Sequence, residues 1–438
     1  MVKRTELSNG VRVVTERMEG MRSAAVGVWV NAGSVFETAQ NAGVSHFIEH
    51  MLFQGTETRS ASDIAAETDA VGGELNAFTA KECTCFHARV PDDRPETAVA
   101  LLADILQHST LDPVNMEKEK RVVIEEIAEL SDSPEDLAFD GAGAALFSDT
   151  PLESEILGTA ETVGALSRKD LCAYMQRHYT AENTVIAAAG SFDEEKMLSL
   201  LEDAFSGMRH GERQPLPEIR IRDGLRVRMI EKDAEQINLC IALPGPALGT
   251  DAYEALAVLS NILGGSMSSR LFQRIREEKG LSYSVGSYPT AYRGAGCLNL
   301  YAGTNETQAE ELVACMLREL DDLKANGVTE TEFRRAKQQL QGSYLLGMES
   351  VPAHMDALGK CELLLGQKYD FDAVRNRIEC VTIEAVNEAA ARWFTPEATA
   401  FCAVGRLQAV GGALRRTVEQ WWTRNAAHMG QGERWNGN

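Results

Sequence analysis

The sequence lacks three features: an apolar run of membrane-spanning length, a stripe of basic residues, and any Cys-x-x-Cys pair. The first absence argues against a membrane-spanning protein. The second, with a formal net charge of −22, argues against nucleic acid or an anionic membrane as a partner. The nine cysteines are scattered and odd in number, which indicates free thiols in a reducing cytosol. No signal or transit peptide precedes the first predicted strand, so we expect a cytoplasmic protein of bacterial type.

Histidine is also scarce, with eight in the chain, but two of them lie four positions apart in His46-Phe-Ile-Glu49-His50. In a helix this spacing places both imidazoles on one face, where two ring nitrogens can bind one cation. The flanking residues are apolar and predict a buried helix, in which histidines and a carboxylate need partners. His-x-x-Glu-His is the inverted form of a zinc-binding helix, with Glu49 placed as a general base. The alternative is a chance match, with core histidines bonded to the backbone.

Catalytic zinc usually has three protein ligands, so the motif predicts one more, and we expect an acidic residue. The best candidate lies in the predicted helix 115–130, where Glu126 shares a face with Val123. A carboxylate on an apolar stripe needs a strong partner, whereas Glu125 points elsewhere and is expected to be solvated. Glu119, two turns before Glu126 on the same face, could hydrogen-bond a metal ligand.

The chain repeats itself after about half its length. Residues His178–Gly190 align with Trp393–Gly405, 215 positions later, and Thr, Glu, Thr, Ala and Gly recur in register. With 438 residues there is room for two domains, each with an ample core. The repeat therefore predicts an α+β fold of two homologous domains, each an antiparallel sheet packed with helices.

The second domain has none of the first domain's candidate metal ligands. The positions equivalent to His46, Glu49, His50, Glu119 and Glu126 are Ser260, Leu263, Gly264, Arg334 and Gln341. One zinc ion per chain is the expectation. The predicted division is a zinc-binding domain at 1–208, a linker with two prolines at 209–221, a second domain at 222–428 and a disordered tail at 429–438.

The zinc-helix motif, followed 76 residues after His50 by Glu126 in Val-Val-Ile-Glu-Glu-Ile, resembles the insulinase/pitrilysin peptidases. Within this family, the sequence most resembles the short bacterial members that are similar to mitochondrial processing peptidase. The resemblance implies a zinc metalloendopeptidase with Zn²⁺ held by His46, His50 and Glu126. It implies Glu49 as the catalytic base and an auxiliary acid at Glu119.

The resemblance also implies a substrate-binding strand beside the metal. The segment of the sequence that matches it is Asn76, Ala77, Phe78 and Thr79, which is expected to accept substrate as an added strand. Without the resemblance, this segment would be interpreted as an ordinary core strand.

In the second domain, the stretch 268–283 resembles the family's C-terminal-domain signature. This implies that Arg276 and Tyr283 hold the substrate and stabilise the oxyanion. Two alternatives stay open at this point. Arg274 could be the reaching residue, or the arginine could lie on the surface while the tyrosine only packs.

Extended peptides or unfolded polypeptide segments, enclosed in a chamber between the domains, are the expected substrates. Larger relatives carry four such domains, which implies a homodimer for a two-domain chain. The alternatives are a non-catalytic structural or regulatory member and the catalytic subunit of a heterodimeric processing peptidase. The complete ligand set argues against the first, and the presence of Arg276 and Tyr283 favours a self-sufficient enzyme over the second.

Overall fold

The computed structural model describes residues 2–394 and 396–427. Their fold is α+β, as predicted, with two sheets packed against helices. The predicted tail at 429–438 lies outside the described residues. No helix in the described part of the chain is both long and apolar enough to cross a lipid bilayer.

The strands form two sheets, called sheet 1 and sheet 2. Sheet 1 contains β1 (Val2–Glu6), β2 (Arg12–Arg17), β3 (Ser23–Val30), β4 (Glu74–Thr79), β5 (Thr84–Pro91) and β6 (Thr184–Gly190). Sheet 2 contains β7 (Gly224–Glu231), β8 (Ile237–Gly245), β9 (Ser284–Ala291), β10 (Gly296–Thr304) and β11 (Ala398–Gly405).

The helices follow the strands in both halves of the chain. The first half has α1 (Val44–Leu52), α2 (Ala61–Ala70), α3 (Pro95–His108), α4 (Pro113–Asp132), α5 (Pro134–Leu146), α6 (Ala160–Ala165), α7 (Arg168–His178) and α8 (Glu194–Phe205). The second half has α9 (Ala252–Leu263), α10 (Ala309–Asn326), α11 (Glu330–Gly347), α12 (Val351–Lys360), α13 (Phe371–Cys380), α14 (Ile383–Trp393) and α15 (Gly411–Ala427). No helix was predicted from the sequence at the position of α5.

The strand order shows that the sequence repeat is a repeat of topology. Sheet 1 has the order β1-β2-β6-β3-β5-β4, and sheet 2 has the order β7-β11-β8-β10-β9. Apart from the extra β1, the two orders are equivalent strand for strand. Each sheet is mainly antiparallel but contains one parallel pair, β2 with β6 and β7 with β11. The long connections between these partners allow parallel pairing, so each predicted antiparallel sheet includes one parallel pair.

The described residues divide into two compact units that do not coincide with the two halves of the chain. Unit 1 draws on residues 2–128, 154–217 and 345–371, and unit 2 draws on residues 129–153, 218–344, 372–394 and 396–427. Thus α5 from the first half packs on strands β8 and β11, and α12 from the second half packs on β3 and β6. The domain boundaries at 208 and 222 stay a prediction about the sequence repeat.

Glycines let α12 approach sheet 1 closely. A Cβ on Gly359 would lie 2.1 Å from Nε1 of Trp29, and a Cβ on Gly27 would lie 2.2 Å from Sδ of Met355. A side chain at Gly359 would collide with the rigid indole of Trp29, and one at Gly27 would displace the side chain of Met355. The helix is thus fitted to this sheet and is part of the core of unit 1.

Charged contacts also hold the segment around α12 in unit 1. Glu362 is fully buried and accepts hydrogen bonds from Arg4 at 2.8 Å and Arg12 at 2.9 Å. Nδ1 of His354 lies 2.7 Å from a carboxylate oxygen of Glu16. A buried carboxylate is tolerated only with such partners, so these pairs tie the segment to β1 and β2.

The predicted linker contains no helix or strand, but its first half is bound to unit 1. The N–H group of Ala181 donates to the carbonyl of Arg209 at 2.9 Å. The N–H of Gly211 donates to Glu182 at 2.7 Å. Residues 209–211 are therefore held against unit 1 by hydrogen bonds.

Candidate active site

Helix α1 carries the His-x-x-Glu-His motif and is anchored by its apolar face. Four side chains form this face and are completely buried: Phe47, Ile48, Met51 and Leu52. They occupy the face opposite His46, Glu49 and His50, which are only partly buried. Burial of the apolar face fixes the rotation of the helix, and so the three polar side chains point in one direction.

The predicted metal ligands come together at this face. Oε2 of Glu126 lies 3.8 Å from Nε2 of His46 and 3.4 Å from Nε2 of His50. With zinc–ligand bonds of about 2.1 Å, ligand atoms in a tetrahedral site lie about 3.4 Å apart. The spacing and the donor set of two imidazoles and a carboxylate therefore fit a zinc ion. In residues 2–394 and 396–427, this is the single group of three or more His, Cys, Asp or Glu side chains that could hold a metal.

Helix α4 supplies the carboxylate, and it presents Glu126 rather than Glu125. Glu125 is exposed, while Val123 is fully buried in the core of unit 1. The side chain of Glu126 is 38% exposed, so it lies at the border of the apolar stripe and not within it. This border position leaves the carboxylate within reach of both histidines and of solvent.

The two histidines differ in how their rings are held. Nδ1 of His50 lies 3.2 Å from a carboxylate oxygen of Glu119, an arrangement that leaves Nε2 free to bind a metal. Nδ1 of His46 is buried and has no hydrogen-bond partner among the described residues. Burial lowers the pKa of His46 to about 4, with a further contribution from His50. His46 is therefore neutral near pH 7, the form in which imidazole binds metals.

Glu49 is oriented by a residue of the predicted substrate strand. The hydroxyl of Thr79 donates a hydrogen bond of 2.5 Å to Oε2 of Glu49. Desolvation raises the pKa of Glu49, and the nearby Glu126 adds to this, although the Thr79 bond acts in the opposite direction. A carboxylate with a raised pKa is a better proton acceptor at neutral pH.

Strand β4, which carries the predicted substrate-binding residues, lies at an edge of sheet 1. It pairs with β5 in the register Asn76 with His87 and Ala77 with Phe86, and it ends the strand order. β4 is therefore an edge strand, and its role in substrate binding stays a prediction. β4 is anchored by Phe78, whose ring packs in a T-shaped arrangement against the ring of Trp29, with 5.4 Å between the ring centroids. The side of β4 that does not pair with β5 can accept an added strand.

Arg276 and Tyr283 form a pair within unit 2. The guanidinium of Arg276 lies 4.2 Å from the ring centroid of Tyr283, and its Nη1 donates to the tyrosine carbonyl at 3.2 Å. Tyr283 as a whole residue is 78% exposed. Arg274 is instead paired with the buried Glu319 at 3.2 Å, which argues against it as the residue that reaches a substrate. The roles of Arg276 and Tyr283 stay predictions.

Comparison with known proteins identifies the family. Residues 12–160 match the model of the insulinase peptidases, family M16, and residues 165–340 match that of the M16 inactive domain. The chain belongs to the insulinase family. This confirms the resemblance read from the zinc-helix motif.

Relatives in the insulinase family cover nearly the whole chain. An uncharacterised zinc protease of Bacillus subtilis is 40% identical over 397 residues, 91% of this chain and 97% of that protein. An uncharacterised zinc protease of Mycobacterium leprae is 42% identical over 390 residues, 88% of each chain. The crystal structure of a peptidase M16 inactive domain from Pseudomonas fluorescens has a TM-score of 0.85 at 20% identity, and it covers 92% of this chain and 98% of that one. The last likeness concerns the fold alone.

Two interactions in this insulinase-family site were not foreseen from the sequence. One is the bond from Thr79 to Glu49, since Thr79 was assigned only to the substrate strand. The other is the position of Glu37, whose carboxylate accepts hydrogen bonds from the first N–H groups of α1. Neither contact has a local sequence signal, because each depends on how a strand or loop passes the helix.

Proposed function

We propose that this insulinase-family protein is a zinc-dependent metallopeptidase that hydrolyses extended peptides or unfolded segments of proteins. The observation that carries the proposal is the convergence of His46, His50 and Glu126 beside Glu49. Relatives that are named zinc proteases, and that match about nine-tenths of this chain, support the same class of reaction.

The residues of α1 and α4 would hold the ion, and Glu119 would keep the ring of His50 in the orientation that leaves Nε2 as the ligand. Zinc, when bound, supplies a Lewis acid that acidifies water and polarises a carbonyl group. Glu49 accepts the proton of the attacking water on its carboxylate and then delivers it to the leaving amine. Thr79 holds this carboxylate in place through both proton transfers.

The open edge of β4 would bind the peptide main chain. Main-chain hydrogen bonds do not depend on side-chain identity, so a substrate must be extended but need not have one particular sequence. Folded proteins cannot offer such a strand, which restricts the substrates to flexible peptides. The predicted oxyanion role of Arg276 and Tyr283, the homodimer, the cytoplasmic location and the interdomain chamber stay predictions within this proposal.

A peptide-library digest with controlled metal content tests the proposal. The purified chain is stripped with a chelator, reloaded with one equivalent of zinc, and incubated with a mixture of synthetic peptides analysed by mass spectrometry. We expect one zinc per chain and cleavage only by the reloaded protein. A zinc-loaded chain that cleaves no peptide would contradict the proposal and leave two alternatives, a non-catalytic member and a catalytic subunit that needs a partner. Cleavage by this chain alone would exclude a required partner subunit.

A further inference from the structure

Helix α1 has no capping side chain of its own at its N-terminus. The N-cap position is Gly43, with a φ of +90°, a conformation that favours glycine. A Cβ at this position would lie 2.5 Å from the carbonyl oxygen of Leu157. None of the usual capping residues, Ser, Thr, Asp or Asn, can stand here, yet the first N–H groups of the helix still need acceptors.

Glu37 fulfils this role from outside the helix. Its two carboxylate oxygens accept hydrogen bonds from the N–H of Gly43 at 2.7 Å and the N–H of Ser45 at 2.8 Å. A carboxylate is also favoured at a helix N-terminus because of the helix dipole. The hydroxyl of Ser45 makes a further bond of 2.8 Å with that of Tyr174 on α7. The first turn of α1 is therefore held at three points.

His46 follows Ser45 directly and depends on this turn more than His50 does. The ring of His50 is held by Glu119, whereas Nδ1 of His46 has no hydrogen-bond partner in the described part of the chain. The orientation of His46 is thus set by its backbone and by packing. Any movement of the first turn would displace its Nε2 from the other ligands.

We propose that Glu37 is a positioning residue of the metal centre, which fixes the first turn of α1 and through it the ligand His46. The inference rests on the zinc site proposed above. Glutamine at position 37 can accept with one oxygen only, so one N–H of the turn loses its acceptor. Groups that hydrogen-bond a metal ligand directly typically contribute about 10- to 100-fold to metal affinity. Glu37 acts on His46 only through the backbone of Gly43 and Ser45, so we expect a loss at the lower end of this range, about tenfold, for Glu37→Gln.

Competitive zinc titration of the full chain tests the inference, with Asp193→Ala as the matched control. Asp193 caps α8 by accepting from the N–H of Lys196 at 2.8 Å, and no proposed ligand lies on that helix. Both variants should lower Tm. Only Glu37→Gln should raise the Kd for zinc, by about tenfold, and excess zinc should restore its kcat.

The outcomes separate the two proposals. A wild-type chain that binds no zinc would refute the proposed function. A wild-type chain that binds zinc, with Glu37→Gln within threefold of it, would overturn the positioning role alone, as would an equal loss in Asp193→Ala. If Glu37→Gln does not fold, Glu37→Asp replaces it in the same titration. The shorter carboxylate cannot reach both N–H groups. Unchanged zinc affinity in Glu37→Asp would therefore also overturn the positioning role.

Discussion

Replacement of Glu49 by glutamine isolates the proton transfer from metal binding. Glutamine has nearly the same shape as glutamate, and its side-chain oxygen can still accept the hydrogen bond that Thr79 donates at 2.5 Å. The proposed ligands, His46, His50 and Glu126, are unchanged. Glu49→Gln should therefore bind zinc with near wild-type affinity but lack the group that accepts a proton from water.

The expected loss of activity follows from the role of this carboxylate. A positioned general base contributes about 10²- to 10⁴-fold to a rate, which corresponds to roughly 3–5.5 kcal/mol of barrier at about 1.4 kcal/mol per decade. Desolvation raises the pKa of Glu49, so it is a stronger base than an ordinary carboxylate. We expect kcat to fall by a factor within this range, with little change in KM.

The assay is kcat and KM on a peptide identified in the library digest, with zinc content measured on the same sample. Glu125→Gln is the matched control, because it makes the same chemical change at an exposed position of α4. It should keep both zinc and activity. A zinc-loaded Glu49→Gln protein that turns over within tenfold of the wild type would refute the general-base role.

Three further predictions concern other residues. Glu126→Gln should weaken zinc binding strongly, whereas Glu125→Gln should not, and paired metal titrations with equal losses would contradict the choice of ligand. Tyr283→Phe should lower kcat by about 10²- to 10³-fold, the effect of losing one oxyanion donor, at unchanged zinc content; an unchanged kcat would remove the tyrosine from the mechanism. The bond with Glu16 raises the pKa of His354 in the folded state, so this pair stabilises the fold fully below the unfolded pKa and loses its effect as pH rises through the folded value. In urea unfolding, His354→Ala should therefore cost more stability at pH 5.5 than at pH 9, and a cost that grows with pH would be the wrong sign.

The cluster of proposed metal ligands could be predicted because its signal is local. The spacing of His46 and His50 places both on one face of any helix, whatever that helix packs against. The same argument selected Glu126 over Glu125 on α4, although the stripe is less buried at Glu126 than the sequence indicates. Contacts such as that of Thr79 with Glu49 join residues 30 positions apart on a strand and a helix, and no periodic pattern encodes them.

Helix α5 was not predicted because its sequence has few large apolar residues. Its buried face consists largely of small residues, including Ala138, Gly141, Ala142 and Ala145, rather than large apolar ones. Hydrophobic periodicity is then weak and gives little indication of a helix. The small residues have a structural reason, since a Cβ on Gly141 would lie 2.5 Å from Sγ of Cys402 on sheet 2. The small residues that weaken the helical pattern in the sequence are the same ones that allow α5 to pack closely on sheet 2.

The exchange of α5 and α12 also changes what the duplication means for the proposed catalytic site. Helix α12 comes from the half that has no metal ligands, but Gly359 brings it against Trp29 on sheet 1. Trp29 in turn packs against Phe78 on β4, the strand whose Thr79 orients Glu49. Residues 1–208 would therefore lack the helix that supports the strand behind the proposed base. The duplicated sequence divides into two halves, but the site in unit 1 depends on residues from both.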